Sequence, residues 1–387
     1  MILANITINN CKFSDMNEKK VIDILRSVGV DLIASLPCDR NKHFTSEIHK
    51  EFDVIDITRE EDGVGICAGA FMGGRRPVMS IQSSGLGNMM NAIMSLTSLY
   101  RFPLPILASW RGVDNEKIEA QKPFNLRLPQ MLDAFEIPYA DVKDSSDLNL
   151  IREMVCKAFS ENIITVMLIR PNFWSDVSVG EQKYPIRSRP LSIHIEKEIM
   201  PPSMTRLEAI GEIMQCIGDD DVIVSNIGVP SKEVFASRDR SLNFYMLGSY
   251  TQATPIGLGI AVSTKRRVFV IDGDGSILGS SVLPVIASIC PHNLIIICLD
   301  NGTFGSTGNQ MTPAYLICDT EAIAKACGIK NTLSVSDRDG LREAMQYAGS
   351  KRDGPLFMQV LIKPFNSDSP NIGCSAQDIK KRFIAGI

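Results

Sequence analysis

Short apolar runs rich in β-branched residues recur along the chain. Between them lie stretches whose apolar residues return every three or four positions. The runs predict strands buried on both faces and the stretches predict amphipathic helices, so their alternation predicts an α/β fold with parallel sheets. One set of strands is expected at Leu32–Leu36, Val54–Thr58, Pro77–Gln82, Leu104–Ser109 and Ile164–Ile169. A second is expected at Val222–Asn226, Val268–Asp272, Leu294–Asp300 and Leu356–Ile362. Met89–Leu99 reads as a helix with Met90, Ile93, Met94 and Thr97 on one buried face.

The two sets belong to two halves. Tyr184–Arg206 carries Pro185, Pro190, Pro201 and Pro202 among mixed charges, which suits an extended linker. It separates a domain over residues 1–183 from one over 207–387. Val166-Met-Leu-Ile-Arg-Pro171 and Gln359-Val-Leu-Ile-Lys-Pro364 end the halves alike, each after a helix bearing Ile-Arg-Glu or Leu-Arg-Glu. A proline after a final strand is common, but the matching helix favours two doubly wound parallel-sheet domains on one duplicated plan.

A length of 387 residues is enough for two such cores. The net charge of −4 gives no reason to expect nucleic acid or an anionic membrane as partner. The opening MILANITINN lacks the basic start and apolar run of a signal peptide, and no apolar run approaches a membrane span. A soluble, cytoplasmic protein is expected. The ten cysteines include no C-x-x-C pair and mostly sit in apolar settings such as Ile297-Cys298-Leu299, which argues for reduced thiols. His43, His49, His194 and His292 have no metal-ligand spacing.

Candidate chemistry lies at strand ends. Arg267-Val-Phe-Val-Ile-Asp-Gly-Asp-Gly-Ser276 runs from a strand into Gly273-Asp274-Gly275, and Leu294-Ile-Ile-Ile-Cys-Leu-Asp-Asn-Gly-Thr303 ends the next strand in Asp300-Asn301. Asn301 follows Asp274 by 27 positions, room for one helix and one strand. Both residues therefore fall at carboxyl ends of neighbouring parallel strands, where such sheets bind ligands. A carboxylate, an amide oxygen and a backbone carbonyl make a hard oxygen site suited to Mg²⁺ beside a diphosphate. Gly273 and Gly275 leave backbone amides open to phosphates. Taken alone, G-D-G is also a common strand-to-helix turn.

This pattern resembles the diphosphate motif of the thiamin-dependent enzymes, G-D-G followed a helix and a strand later by N-N. Asp300 stands where the family has its first Asn, and Asn301 keeps the second. The resemblance implies thiamin diphosphate and Mg²⁺ as cofactors, with Asp274, Asn301 and the Thr303 carbonyl as metal ligands and Ser276 beside the phosphates. Met246-Leu-Gly-Ser-Tyr-Thr-Gln-Ala-Thr-Pro-Ile-Gly-Leu-Gly-Ile-Ala261 is similar to the loop and small-residue helix supporting the cofactor's bend. Gly248 would there accept from the pyrimidine amino group and Tyr250 would wedge between the rings, although the family has a smaller apolar residue at Tyr250 and Gly at Thr251. Gly257 and Gly259 also read as tight packing on a sheet. Ser225-Asn226-Ile227-Gly228 fits a diphosphate contact through Asn226 or a plain turn equally well.

Thiamin chemistry also needs a buried, protonated carboxylic acid beside the aminopyrimidine ring. Ile57-Thr-Arg-Glu-Glu-Asp-Gly-Val-Gly-Ile-Cys-Ala-Gly69 offers a strand end followed by a small-residue helix, and the family's nine-position count back from Gly69 falls on Glu60. The acids of Arg59–Asp62 also suit an ordinary helix N-terminus. Gly63-Val-Gly-Ile-Cys-Ala68 matches the G-x-G-x-x-A of nicotinamide enzymes, but the preceding acidic run would put negative charge where a pyrophosphate should sit.

Ser80-Ile-Gln-Ser-Ser-Gly-Leu-Gly-Asn88 and Ala108-Ser-Trp-Arg-Gly112 resemble the thiamin-dependent decarboxylases of sulfopyruvate and phosphonopyruvate, over nearly the whole chain, as if two subunits were fused. Ile118-Glu-Ala-Gln121 leans toward the sulfopyruvate enzymes of coenzyme M synthesis, since the phosphonopyruvate enzymes tend to carry D-E-P-Q-H there. The implied substrate is a small anionic 2-oxo acid. Arg111 and then Arg40 are the candidate sulfonate ligands, because guanidinium binds oxyanions bidentately, though either could be a plain surface arginine. Ser84 and Asn88 fit the substrate carboxylate or a helix cap. The resemblance implies a homodimer or larger homo-oligomer with sites between subunits. A phosphonopyruvate enzyme, or a regulatory module that binds thiamin diphosphate without turnover, is the alternative.

Overall fold

The structure is a computed structural model that describes residues 16–175, 193 and 195–387. Within these the chain packs as two compact units, and residues 64–74 and 94–100 of the first half count with the second unit. Each unit is built on one six-stranded sheet.

In the first unit, β1 (Leu32–Ser35), β2 (Asp53–Asp56), β3 (Pro77–Gln82), β4 (Leu104–Ser109), β5 (Tyr139–Val142) and β6 (Ile164–Ile169) stand in the order β2-β1-β3-β4-β6-β5, all parallel. The second unit contains β7 (Val222–Ser225), β8 (Asn243–Tyr245), β9 (Val268–Gly273), β10 (Leu294–Asp300), a two-stranded hairpin of β11 (Thr303–Phe304) and β12 (Gln310–Met311), β13 (Asn331–Val335) and β14 (Leu356–Leu361). Its sheet runs β13-β14-β10-β9-β7-β8, again all parallel. Read from β8, this is the first sheet's order repeated, with the hairpin inserted after the fourth strand. The two like-ended segments fall on the equivalent strands β6 and β14, after the helices Leu148–Glu161 and Arg338–Ala348. The duplicated plan is real.

Parallel strands covered on both faces read as continuous apolar runs, and β4, β6 and β10 are buried at every position. All nine expected strands are present, each end within two residues. The sequence reading missed the two-residue hairpin strands β11 and β12 and also β5, β8 and β13, the last three all edge strands of the large sheets. β13 is half-buried throughout and β5 at three of four positions, while β8 has only three residues, so none makes an apolar run.

The expected helix Met89–Leu99 is an α-helix over Gly85–Ala92 that passes into a π-helical turn over Ile93–Ser98. Its buried face is Met89, Ala92, Ile93, Leu96 and Thr97, with Met90 and Met94 only half-buried. Apolar residues occur at both registers, so the pattern could not choose between two overlapping faces. Of the expected linker, residues 184–192 and 194 lie outside the described residues. Residues 195–204 form neither helix nor strand. Arg206 instead begins the helix Arg206–Cys216, whose start is fixed by a capping box of Thr205 and Glu208.

Within the second unit, the helix Ala253–Ala261 meets residues 64–74 backbone to backbone. A Cβ on Gly259 would lie 2.1 Å from the Ile66 carbonyl oxygen, and one on Gly69 would lie 2.1 Å from that of Ile256. Gly257 faces the sheet instead, 2.2 Å from Val270 Cγ2 by the same measure. Gly63 and Gly65 lie inside the helix Glu60–Met72, not in an open strand-to-helix turn, which removes the nicotinamide reading. Gly259→Ala has backbone on its only free side, so it should destabilise by about 1–3 kcal/mol and lower the melting temperature. Gly211→Ala, with open space around its Cβ, should not.

Candidate functional site

In the first unit β1, β3 and β4 are neighbours, and the loops at their carboxyl ends bring the predicted substrate residues together. Arg111, 2% exposed, follows β4. Its Nε donates to Glu116 Oε2 at 2.7 Å and its Nη1 to Asp39 Oδ1 at 2.5 Å and Gln82 Oε1 at 3.2 Å. Its Nη2 is buried and has no hydrogen-bond partner among the described residues. Arg40 Nη2 donates to the other Glu116 oxygen at 3.2 Å, which also accepts from the Ile118 amide at 3.1 Å. The hydrogen bond from Arg111 holds the Glu116 carboxyl well below its ordinary range, at about 2.

Beside this pair lies a neutral network. Ser84 Oγ donates to Gln121 Oε1 at 2.7 Å and accepts from Gln82 Nε2 and Asn125 Nδ2, each at 3.0 Å. Ser83 Oγ donates to Asn125 Oδ1 at 2.5 Å and accepts from the Arg111 amide at 3.0 Å. The sequence reading singled out Arg40, Ser84 and Arg111 but missed Asp39, Gln82, Glu116 and Asn125. Only proximity in space marks those four.

Ser84 leads to Gly85, and Gly85 to Glu60. A Cβ at Gly85 would stand 2.4 Å from Glu60 Oε1, and Asn88 Nδ2 donates to Glu60 Oε2 at 3.1 Å. Glu60 is buried at the first turn of its helix. The neighbouring Glu61 pairs with Arg59 at 2.5 Å, and burial raises its carboxyl above the ordinary range.

In the second unit the carboxyl ends of β7, β9 and β10 carry Asn226, Asp274 and Asn301 on adjacent strands. Asp274, 2% exposed, accepts from Thr312 Oγ1 at 2.5 Å. Burial, and then the nearby Asp300, push its carboxyl up to about 7. Asn301 Oδ1 accepts from the Thr303 amide at 3.1 Å, and Asn226 Oδ1 from the Ile227 amide at 2.8 Å. Ser276 is buried within the helix Asp274–Gly279. A Cβ on Gly273 would meet only Asn226 Nδ2, at 3.8 Å, whereas one on Gly275 would meet the Phe304 ring at 2.5 Å. Gly273 is thus the open position, and Gly275 is packed. Tyr250, 45% exposed, donates from its hydroxyl to the Gly275 carbonyl at 2.5 Å. Ser249 and Thr251 on either side have positive φ of 70° and 73°. Gly248 lies against the Ser95 carbonyl.

The donor set fits Mg²⁺. Among the described residues neither Asp274 nor Asp300 has a basic partner, and no three His, Cys, Asp or Glu side chains cluster as ligands. One carboxylate with neutral oxygens suits a small hard cation that also takes phosphate oxygens. The nine described cysteines are free, and no described helix is long and apolar enough to cross a membrane.

Two parallel-sheet units with polar carboxyl edges suit a two-domain thiamin-diphosphate enzyme, and comparison with known proteins agrees. Residues 18–136 match the model "Thiamine pyrophosphate enzyme, N-terminal TPP binding domain" and residues 231–360 match its C-terminal counterpart. The chain is 42% identical over 374 residues to a sulfopyruvate decarboxylase of Methanosarcina acetivorans, covering 95% of this chain and 96% of that one. It is 30% identical to a phosphonopyruvate decarboxylase of Streptomyces viridochromogenes, covering 93% and 92%. Separate subunits also match: a sulfopyruvate decarboxylase subunit beta of Methanothermobacter thermautotrophicus (42% identity; 47% of this chain, 94% of that one) and a subunit alpha of Methanococcus maripaludis (39%; 32% and 82%). In structure, a thiamine diphosphate-dependent 4-hydroxybenzoylformate decarboxylase of Rhodococcus jostii superposes with a TM-score of 0.69 at 12% identity, covering 91% of this chain and all of that one, which supports the fold. The chain belongs to the thiamin-diphosphate-dependent family of sulfopyruvate and phosphonopyruvate decarboxylases, in a form that fuses the alpha and beta halves.

The low carboxyl pKa of Glu116 has a consequence for stability. A depressed folded-state value adds stability above the ordinary carboxylate range, and that stability is lost as pH falls toward about 2. Glu116→Gln leaves Arg111 buried with one partner fewer, so it should cost on the order of 3 kcal/mol at pH 7. In urea unfolding the gap to wild type should narrow between about pH 4.5 and pH 3. A gap that stayed constant over that range would contradict the ion-pair account.

Proposed function

We propose that the protein decarboxylates 3-sulfopyruvate, taking up one proton and releasing sulfoacetaldehyde and CO₂, as a step in coenzyme M synthesis. The similarity to the Methanosarcina acetivorans relative, 42% over nearly both whole chains against 30% for the phosphonopyruvate enzyme, carries the choice of substrate. Thiamin diphosphate, when bound, supplies the carbon nucleophile that adds to the 2-oxo group and takes up the electron pair released with CO₂.

The chain's residues divide the remaining work. Asp274, the Asn301 amide oxygen and the Thr303 carbonyl would hold Mg²⁺ against the diphosphate. Asn226, Gly273, Gly275 and Ser276 would lie along the phosphates, and Gly248 and Tyr250 would support the rings. Glu60 would hold a proton toward the aminopyrimidine, its carboxyl fixed by Asn88. Arg111, whose buried Nη2 has no hydrogen-bond partner among the described residues, would take the sulfonate with Arg40 beside it, leaving Ser84 and Asn88 for the carboxylate. Binding the distal anion fixes which end of the substrate meets the nucleophile. Pyruvate lacks that group and would leave a buried guanidinium nitrogen unpaired.

The deciding measurement is CO₂ release from sulfopyruvate, phosphonopyruvate and pyruvate with thiamin diphosphate and Mg²⁺. Sulfopyruvate should give the highest kcat/KM. Faster turnover of phosphonopyruvate at matched low concentrations would replace this reading, and cofactor binding without turnover of any of the three would make the protein a regulatory module.

Glu60→Gln should lower kcat by at least about a hundredfold, the scale of general acid–base groups, while calorimetry still shows cofactor binding. If Glu61→Gln were crippled instead, Glu60 would be the wrong carboxylate.

The protein is further proposed to act as at least a homodimer, with the pyrimidine-binding half of one chain and the diphosphate-binding half of another forming each site. Mixed Glu60→Gln and Asp274→Ala chains should then regain partial activity. No recovery despite proven subunit exchange would place each site within one chain.

A further inference from the structure

Arg40 and Arg111 bring two positive charges to the carboxyl edge of β1, β3 and β4, but neither charge is unmatched. Arg111 Nε and Arg40 Nη2 end on the two oxygens of Glu116, and Arg111 Nη1 ends on Asp39. Glu116 and Arg111 are 4% and 2% exposed, so this pairing is built into the site and not a surface encounter. Two guanidiniums and two carboxylates sum to zero. Beside this balanced group, in which Arg111 Nη2 is buried without a hydrogen-bond partner among the described residues, lies the neutral hydroxyl and amide network of Gln82, Ser84, Gln121 and Asn125.

A charge-balanced group and the neutral dipoles beside it can solvate a single charge spread over three oxygens. They cannot offset a second charge, and an unmatched charge in such a place is strongly disfavoured. A sulfonate carries one negative charge at any ordinary pH, whereas a phosphoryl group carries about 1.5 to 2 near pH 7. We infer that Glu116 and Asp39 determine specificity: by matching both arginine charges they fit the site to a singly charged sulfonate and turn away the phosphonate dianion. This rests on the decarboxylase reading above and on Arg111 meeting the distal anion. The two carboxylates act by repulsion, the half of specificity that attractive contacts cannot supply.

The test is the ratio of kcat/KM for phosphonopyruvate to that for sulfopyruvate, measured in wild type, Asp39→Asn and Glu116→Gln. Each variant removes one negative charge while keeping the side chain's shape. The ratio should rise by about tenfold or more in each, as expected when a like charge is removed from beside a ligand. A merely structural role would lower both activities together and leave the ratio in place. Should Glu116→Gln fail to fold, Asp39→Asn decides alone, since the Asp39 side chain is 60% exposed. An unchanged ratio in Asp39→Asn, with sulfopyruvate still consumed, overturns this inference and leaves the decarboxylase standing. A wild type that consumes neither substrate overturns both.

Discussion

Two carboxylates, Asp274 and Asp300, are buried at the ends of adjacent strands with no basic side chain among the described residues to meet them. The parallel register pairs Leu299 with Gly273, so the two strand ends arrive together and their charges with them. Both carboxyls are pushed above their ordinary range, chiefly by burial. The protein treats them differently. Asp300 accepts from Gln359 Nε2 at 2.8 Å, from the Gly302 amide and from Thr320, and Gln359 is itself held by Lys197 and Ser334. Among the described residues, Asp274 accepts from the Thr312 hydroxyl. Dipoles thus solvate the first carboxylate and let it shape the turn that presents Asn301. The second is left with a charge that a divalent cation would complete. A site of this kind costs stability without its ligand and regains it by binding.

The first unit solves the opposite problem. If it receives an anion as proposed, the cations Arg40 and Arg111 are already paired before any ligand arrives. Paired and hydrogen-bonded side chains hold their positions, and a fixed polar environment favours a bound anion more than a mobile one that must first reorganise. The same sheet order serves both ends. Carboxyl edges of neighbouring strands converge polar loops, and the side chains placed there set the charge of each edge.

How much of this was legible follows from burial. Strands buried on both faces must be apolar at every position, so β4, β6 and β10 could be read residue by residue. Edge strands carry no such requirement, and Asn331–Val335, with three polar residues in five, left no trace in the pattern. The positions of Asp274 and Asn301 were legible because both are tied to strand ends at fixed spacing. The arginine cluster was legible only in part. Arg111 follows a strand, but Glu116 lies in an irregular loop and Asp39 begins a 3-10 turn after β1, more than seventy residues away, and no periodicity connects them. The consequence was substantive: Arg111 reads from sequence as a free cation, and in the fold it is the centre of a balanced group.

Glu60 and Glu61 show most plainly where sequence reasoning needs the fold. Adjacent carboxylates at a helix N-terminus are chemically equivalent on paper, since both are favoured there by the helix dipole. Successive positions on a helix point about 100° apart, and the fold uses that divergence. Glu61 turns toward Arg59 and is held in an ion pair. Glu60 turns toward the start of the helix after β3, where Asn88 supports one oxygen and the other lies where a side chain at residue 85 would begin. The carboxyl can occupy that place only because residue 85 is glycine. A residue with no functional group of its own thereby fixes where the Glu60 carboxyl sits.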